Sequence, residues 1–226
     1  MPILALESAT AAPAVALVEG DAVLALVPVE SGAPGSEGLL PAVAAALCEG
    51  EVSLADLSGF AVAIGPGSFT GLRVGLATLK GLAFGDPRPV AAVSTLAALV
   101  RLAGDPRPEP VVAALDARRG DVYAAVWDAG EAPEPRIAED VHRLEDLVTR
   151  LPERCLWVGD DVNGYPAAAG GGVRPGPAGP CAGHVGILGA RLLAAGGGGA
   201  AADLVPRYLR RAEAEAKRTG QARERF

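Results

Sequence analysis

The sequence is poor in the residues that usually build metal sites and disulfides. Its 226 residues include two histidines, His142 and His184, and three cysteines, Cys48, Cys155 and Cys181. The cysteines are far apart, and neither a CxxC pair nor a Cys–His spacing typical of zinc sites occurs. An odd number of scattered cysteines favours reduced thiols over a disulfide framework. We therefore predict no metal site.

Long apolar runs are also missing. No run approaches the ~20 residues that a membrane-spanning helix needs. The first apolar segment follows no basic stretch and is interrupted early by Glu7, so we expect no signal peptide. These features predict a cytoplasmic protein without membrane contact.

Positive charge is scarce. The formal net charge is −7, and only Lys80 and Lys217 are lysines. An RNA-binding protein that acts alone usually presents net positive charge or a dense basic face. Residues 207–226 are locally basic, but the chain as a whole is expected to bind RNA poorly.

Aromatic residues make up only 4 % of the chain, although half of its residues are hydrophobic. A sizeable core is therefore available, built mainly from alanine, valine and leucine. The length fits one large or two small domains. The 30 glycines and 19 prolines are a bias of the kind that GC-rich coding produces, so we interpret the glycine-rich residues 170–183 as a loop.

Residues 65–75, with the sequence GPGSFTGLRVG, are the most distinctive stretch of the chain. They follow a short apolar run at residues 60–64, which predicts a buried strand. The Gly-Pro-Gly sequence predicts a sharp turn. Ser68 or Thr70 can then cap a helix that runs from residue 69 to about residue 84.

This predicted helix has two different faces. A rotation of ~100° per residue places large apolar residues on one stripe and mostly small residues on another. The apolar stripe comprises Leu72, Leu76, Leu79 and Ala83, and the small-residue stripe comprises Gly71, Val74, Gly75, Thr78 and Gly81. Glycine in a helix is tolerated where another backbone comes close. We predict that the small-residue stripe contacts a second subunit; the alternative is a helix buried on both sides within one domain.

A phosphate-binding loop is a further alternative for this strand–turn–helix arrangement. A P-loop requires Gly-Lys-Ser/Thr at its end, but no lysine occurs before Lys80. A dinucleotide fingerprint requires glycine where Thr70 stands. The stretch therefore matches neither motif.

Apolar runs and turn signals predict the order βββαβαβα up to a proline-rich linker at residues 104–110. After it, residues 111–127 repeat the opening strand–turn–strand pattern. Helices over residues 144–151 and 186–195 and a strand over residues 155–158 complete a thinner second copy. We predict an α/β protein with two ribonuclease-H-like domains of the actin, sugar kinase and heat-shock ATPase superfamily, at residues 1–104 and 105–226, the second degenerate.

The two strand–turn–strand hairpins contain the candidate ligand-facing residues. In nucleotide-hydrolysing members of that superfamily, these hairpins hold phosphates and a metal. The candidates here are Glu7, Ser8 and Thr10 in the first hairpin and Asp116 and Arg118 in the second. The alternative is structural: side-chain bonds hold the first hairpin, and an Asp116–Arg118 pair braces the second.

The GPGSFTGLRVG stretch, with KGLAF at residues 80–84, closely resembles the signature of the TsaB (YeaZ) family. Residues 116–123 (DARRGDVY) resemble its DAR-x-G-E-V-Y segment, with Asp121 in place of Glu, and residues 206–210 (PRYLR) resemble its closing Pro-x-Tyr-Leu-Arg. The resemblance spans the whole chain. Members of this family are partner subunits in bacterial tRNA threonylcarbamoyladenosine biosynthesis.

The resemblance implies an accessory subunit with no catalytic residue and no cofactor of its own. Its implied partners are a TsaD-like catalytic subunit, which transfers a threonylcarbamoyl group to N6 of adenosine, and a TsaE-like ATPase. ATP or another nucleotide is expected at the interface with the partner, and tRNA is contacted only through the complex. For the isolated chain, a homodimer and a monomer are both open.

Two enzymatic functions are the alternatives. Catalytic relatives place two histidines after the third strand, but residues 35–41 (GSEGLLP) contain none, which disfavours a metallopeptidase. A small-molecule phosphotransferase that uses Glu7, Asp116 and magnesium-ATP is the stronger alternative. Ligand binding by the isolated chain would distinguish it from an accessory subunit.

Overall fold

The computed structural model of the chain describes residues 1–29, 38–131, 134–161, 164–165 and 172–210. The chain forms two compact units, one from residues 1–98 and 179–206 and one from residues 99–178 and 207–226. The boundary predicted at residue 104 is close to the first crossing between them. The assignment of residues 179–206 to the second domain is wrong, because the chain returns there to the first unit.

A five-stranded mixed sheet forms the centre of the first unit, in the order β3-β2-β1-β4-β5. Its strands are β1 (Ile3–Glu7), β2 (Ala14–Glu19), β3 (Ala22–Pro28), β4 (Gly59–Gly65) and β5 (Val90–Ser94). β1 pairs antiparallel with β2 and parallel with β4. The number and order of these strands agree with the prediction from apolar runs. Gly20, with a φ of 60°, lies in the two-residue hairpin turn between β2 and β3.

The α-helices of the described residues are α1 (Leu39–Glu49), α2 (Phe69–Leu82), α3 (Thr95–Leu99), α4 (Leu144–Val148) and α5 (Ala182–Ala194). α1 and α2 share one core with Leu4 and Leu6 of β1. α5 packs on the opposite face, where Gly186 lies against Ala5 and Val18. Because side chains alternate along a strand, Leu4 and Ala5 point to opposite faces, and helices therefore cover both sides of the sheet.

The second unit repeats the pairing of the first. Its sheet has the order β10-β9-β6-β7-β8. The strands are β6 (Val111–Asp116), β7 (Asp121–Trp127), β8 (Ile137–Arg143), β9 (Cys155–Gly159) and β10 (Val173–Pro175). β6 pairs antiparallel with β7 and parallel with β9, as β1 does with β2 and β4. The internal duplication predicted from residues 111–127 thus extends to the whole sheet.

Two strands of the second sheet were not predicted. β8 carries polar and charged residues at most positions, and β10 has only three residues, the last of them Pro175. Both are edge strands, which hold their place by pairing with β7 and β9 rather than through an apolar pattern of their own. The interpretation of residues 170–183 as a loop is therefore wrong for β10 and for the start of α5.

Candidate functional site

The connection between β4 and α2 has the predicted strand–turn–helix geometry. Gly65 and Gly67 adopt φ values of 121° and 151°, which favour glycine. Ser68 is the N-cap of α2, and its Oγ accepts a hydrogen bond from Gly71 N at 3.2 Å. Thr70 lies inside the helix, so Ser68 is the capping residue of the two predicted.

The apolar stripe of α2 faces the core of the first unit, as predicted. Leu72, Leu76, Leu79 and Ala83 are all buried. Most of the stripe belongs to the core that α2 shares with α1 and the sheet. The hydrophobic period of the sequence therefore fixed which side of the helix is inside.

In the small-residue stripe, the chain's own β1–β2 loop packs against Gly71 and Gly75. A Cβ atom on Gly71 would lie 1.8 Å from Ser8 O, and one on Gly75 would lie 2.3 Å from Ser8 Oγ. Both positions are filled by the loop that joins β1 to β2 in the same chain. The close neighbour that these two glycines accommodate is therefore the chain's own loop, and a partner contact at them stays a prediction.

The remaining residues of that stripe lie further round the helix. Val74 and Thr78 are half-buried, Gly81 is exposed, and a Cβ atom on Gly81 would have no atom within 4 Å. Exposed Ala77 lies between them, since residues 74, 77, 78 and 81 follow helical spacing. We call Val74, Ala77, Thr78 and Gly81 the outer side of α2. A partner contact at Val74, Thr78 and Gly81 stays a prediction.

Glu7 lies at the end of β1, and 0 % of its surface is exposed. Its Oε1 accepts hydrogen bonds from Ala9 N at 2.6 Å and Thr10 N at 3.0 Å, and its Oε2 accepts one from Thr10 Oγ1 at 2.6 Å. Ser8 Oγ donates to Gly71 O at 2.8 Å. The side chains of Glu7, Ser8 and Thr10 therefore brace the β1–β2 loop. This arrangement supports the structural alternative for Glu7, whose carboxylate is buried beneath that loop.

These contacts make the first hairpin unsuitable for phosphate. A phosphate loop presents unpaired backbone N–H groups to the anion. Here Ala9 N and Thr10 N donate to a carboxylate, and Ser68 N donates to Ala9 O at 2.8 Å. Lys80 lies near the other end of α2 and donates to Ala202 O at 3.0 Å. A phosphate would have to displace a buried negative charge from its own donors.

The second hairpin contains the predicted charge pair. Arg118 N donates to Asp116 Oδ1 at 2.7 Å, and the Arg118 guanidinium lies 3.5 Å from Asp116 Oδ2. The guanidinium nevertheless remains accessible, since 85 % of the Arg118 side chain is exposed. The bracing pair is confirmed, and contact of Asp116 or Arg118 with a ligand stays a prediction.

The closing PRYLR motif docks on this hairpin, which the sequence alone did not reveal. Arg210 donates to Ala117 O and, at 2.7 Å, to Asp121 Oδ2. Leu209 packs beside it against Ala117 and Val141. Asp121 is only 7 % exposed and therefore needs a partner of opposite charge, but that burial is a property of the fold that the sequence does not show. The two motifs of the second unit therefore support each other.

Residues 35–37, which belong to the segment without histidine, lie outside the described residues. Within the described ranges, no group of three or more His, Cys, Asp or Glu side chains could hold a metal ion. No α-helix in those same ranges is long and apolar enough to cross a membrane.

Two of the three cysteines are buried, and Cys48 is exposed. Burial raises the pKa of the Cys155 thiol to about 11. Burial, together with the nearby Glu7 charge, also raises the pKa of Cys181 well above its usual value. Both thiols are therefore protonated near neutral pH, where a thiol is a poor nucleophile.

We expect His142 on β8 to make the stability of the second unit depend on pH. Burial lowers its pKa, and its buried Nε2 has no hydrogen-bond partner among the described residues. Above pH ~6.5 both folded and unfolded states hold a neutral imidazole. As pH falls from there toward the lowered folded pKa, the unfolded state binds the extra proton, so stability should fall.

His142→Gln should remove this part of the pH dependence, measured by urea unfolding between pH 5 and 8. His184→Gln is the matched control and should retain the loss of stability that His142 causes. Identical pH profiles for wild type and His142→Gln would contradict the assignment.

Comparison with known proteins gives consistent matches. A family model described as "TsaD: tRNA N6-adenosine threonylcarbamoyltransferase" matches residues 26–154. The Bacillus subtilis "tRNA threonylcarbamoyladenosine biosynthesis protein TsaB" is 32 % identical over 232 residues, covering 96 % of this chain and 97 % of that protein. The Escherichia coli protein of the same name is 40 % identical over 138 residues. That match covers 58 % of this chain and 57 % of the E. coli protein.

A solved structure extends the similarity to the fold. It is described as a Pseudomonas aeruginosa protein with similarity to peptidase YeaZ, and it superposes with a TM-score of 0.74 at 28 % sequence identity. The superposition covers 92 % of this chain and 99 % of that structure. Sequence and fold therefore match the same group of proteins along nearly their whole length.

Proposed function

This chain belongs to the TsaB family, and from that premise we propose that it is a non-catalytic partner subunit in the biosynthesis of N6-threonylcarbamoyladenosine in tRNA. The match to the B. subtilis TsaB protein carries the proposal, because it extends over 97 % of that relative. A match of this extent includes both units and not only the strand–turn–helix stretch.

A TsaD-like transferase is the proposed direct partner. The family model described as a tRNA N6-adenosine threonylcarbamoyltransferase matches residues 26–154, so the chain is itself related to that class of enzyme. Two related subunits can pack through equivalent surfaces, as the subunits of a two-fold dimer do. The outer side of α2 is the proposed contact surface, because its small residues allow a close approach.

The absence of catalysis by the chain itself is part of the proposal, and the first hairpin supports it. Catalysis on a phosphorylated substrate would require that hairpin to accept phosphate, but its N–H groups donate to Glu7. The magnesium-ATP phosphotransferase is therefore less well supported. A nucleotide, if the complex uses one, is proposed to bind at the interface with the partner.

The wider assembly follows from the same premise. We include a TsaE-like ATPase, tRNA contacts made only through the complex, a homodimer of the isolated chain and a cytoplasmic location. The net charge of −7 supports weak tRNA binding by this chain alone. We also propose that the second unit is a reduced copy, since α4 has five residues where α1, at the same place in the repeat, has eleven.

Replacing Ala77 by arginine should abolish the complex while leaving the isolated chain folded. Ala77 is exposed, so the substitution changes no core contact, but it places a long charged side chain on the outer side of α2. The measurement is co-purification with the TsaD-like subunit of the same host, together with thermal unfolding of the isolated chain.

Ala138→Arg is the matched control, since Ala138 is an exposed alanine on β8 in the second unit. It should leave the complex intact. If no complex forms with the wild-type chain, the proposed partner is wrong. If the complex forms and Ala77→Arg does not weaken it, the proposed surface is wrong.

A further inference from the structure

The β1–β2 loop is held between a buried carboxylate and α2. On the sheet side, Glu7 accepts hydrogen bonds from two backbone N–H groups of the loop and from the Thr10 hydroxyl. On the helix side, Ser8 Oγ donates to Gly71 O at 2.8 Å, and Ser68 N donates to Ala9 O at 2.8 Å. The loop therefore connects the end of β1 to the first turn of α2 through hydrogen bonds on both sides.

The β1–β2 loop packs so closely on α2 that the loop and the helix cannot move closer together. Cβ atoms on Gly67, Gly71 and Gly75 would lie 2.5 Å from Ala9 O, 1.8 Å from Ser8 O and 2.3 Å from Ser8 Oγ. Two of these contacts are made by backbone atoms, which cannot rotate away as a side chain can. The loop thus sets how deeply the N-terminal half of α2 can sit.

The N-terminal half of α2 needs such support more than its C-terminal half. Gly71 and Gly75 lower its intrinsic helix propensity and supply no side chain to anchor it. Leu72 and Leu76 are buried and hold it on one side. The contacts of Ser8 lie on the glycine side and hold it on a second side.

We propose that Glu7 is a positioning residue for partner binding: by bracing the β1–β2 loop, it fixes the orientation of α2 and so the surface that the partner meets. This inference rests on the proposed function, in which the outer side of α2 is the contact. The hairpin that holds phosphate in nucleotide-hydrolysing proteins of similar fold would here hold a helix instead.

The test uses two substitutions that weaken the brace without adding bulk. Glu7→Gln keeps the shape and one carbonyl oxygen, but it removes the negative charge and replaces Oε2, which accepts from the Thr10 hydroxyl, by an amide nitrogen. Ser8→Ala removes the hydrogen bond to Gly71 O and leaves Glu7 intact. Ser53→Ala is the matched control, since Ser53 bonds only locally with Asp56 before a 3₁₀ helix.

The measurements are the dissociation constant for the partner, by calorimetry, and amide hydrogen exchange of the isolated chain. For Ser8→Ala and Glu7→Gln we expect a dissociation constant at least fivefold higher. We also expect at least tenfold faster exchange at the amides of residues 72–75, with β1, β2 and β4 unchanged. Ser53→Ala should change neither quantity.

Unchanged affinity and unchanged exchange in both variants would overturn the inference. Faster exchange spread evenly over the sheet would also overturn it, because that result indicates a purely structural role. If Glu7→Gln fails to fold, Thr10→Ala replaces it in the same measurements, because it removes the hydroxyl that donates to Glu7 Oε2. The Ala77→Arg variant tests the proposed contact surface separately from the proposed role of Glu7. If this variant leaves partner binding intact, the proposed surface is wrong, regardless of the results for Glu7→Gln and Ser8→Ala.

Discussion

Replacing Gly71 by alanine should destabilise the chain, whereas the same substitution at Gly81 in the same helix should stabilise it. A Cβ atom on Gly71 would lie 1.8 Å from Ser8 O, a backbone atom that can move only if the β1–β2 loop moves. Such overpacking typically costs about 1–3 kcal/mol. At Gly81 a Cβ atom meets nothing within 4 Å, so alanine gains about 0.5–1 kcal/mol of helix propensity.

Urea unfolding of the two variants measures this contrast directly. Because the new side chain and the helix are the same, helix propensity cannot explain opposite signs. Equal stabilisation at both positions would show that Gly71 is open, as expected for a glycine kept for another subunit. Gly75→Leu should also destabilise the chain, because a Cβ atom on Gly75 would lie 2.3 Å from Ser8 Oγ.

Replacing Gly186 by leucine should destabilise the first unit by about 3 kcal/mol or more. A Cβ atom at Gly186 would lie 2.4 Å from Val18 Cγ2 and 3.2 Å from Ala5 Cβ, so a leucine would force α5 away from the sheet. The apolar face that α5 covers would then be exposed to water. Thermal and urea unfolding would report the loss.

Ala194→Leu is the control, since Ala194 is an exposed residue on the same helix. Its effect should stay within about 0.5 kcal/mol. A fragment of residues 1–104 should not fold cooperatively by itself, because it lacks α5. A stable, cooperatively folded fragment would contradict the assignment of residues 179–206 to the first unit.

The sequence could predict most elements of both sheets because their strands carry an apolar signal of their own. The opening strands, the hairpin turn and the buried stripe of α2 all follow from local patterns. In the site, the Ser68 cap and the Asp116–Arg118 pair were equally local, since each joins residues close in sequence. Edge strands β8 and β10 lacked that signal, since pairing with a neighbour defines them.

The sequence by itself determined the local geometry of the signature stretch, its family and the need for a close neighbour at Gly71 and Gly75. Only the tertiary structure decided which neighbour that is. A small residue shows that another atom comes near, but it does not say whether that atom is 63 positions away in the same chain, as Ser8 is from Gly71, or in another subunit. The same holds for α5 and for Arg210, whose partners lie far away in sequence. Long-range packing and charge pairing leave no periodic trace in the local sequence, and so they had to be read from the fold.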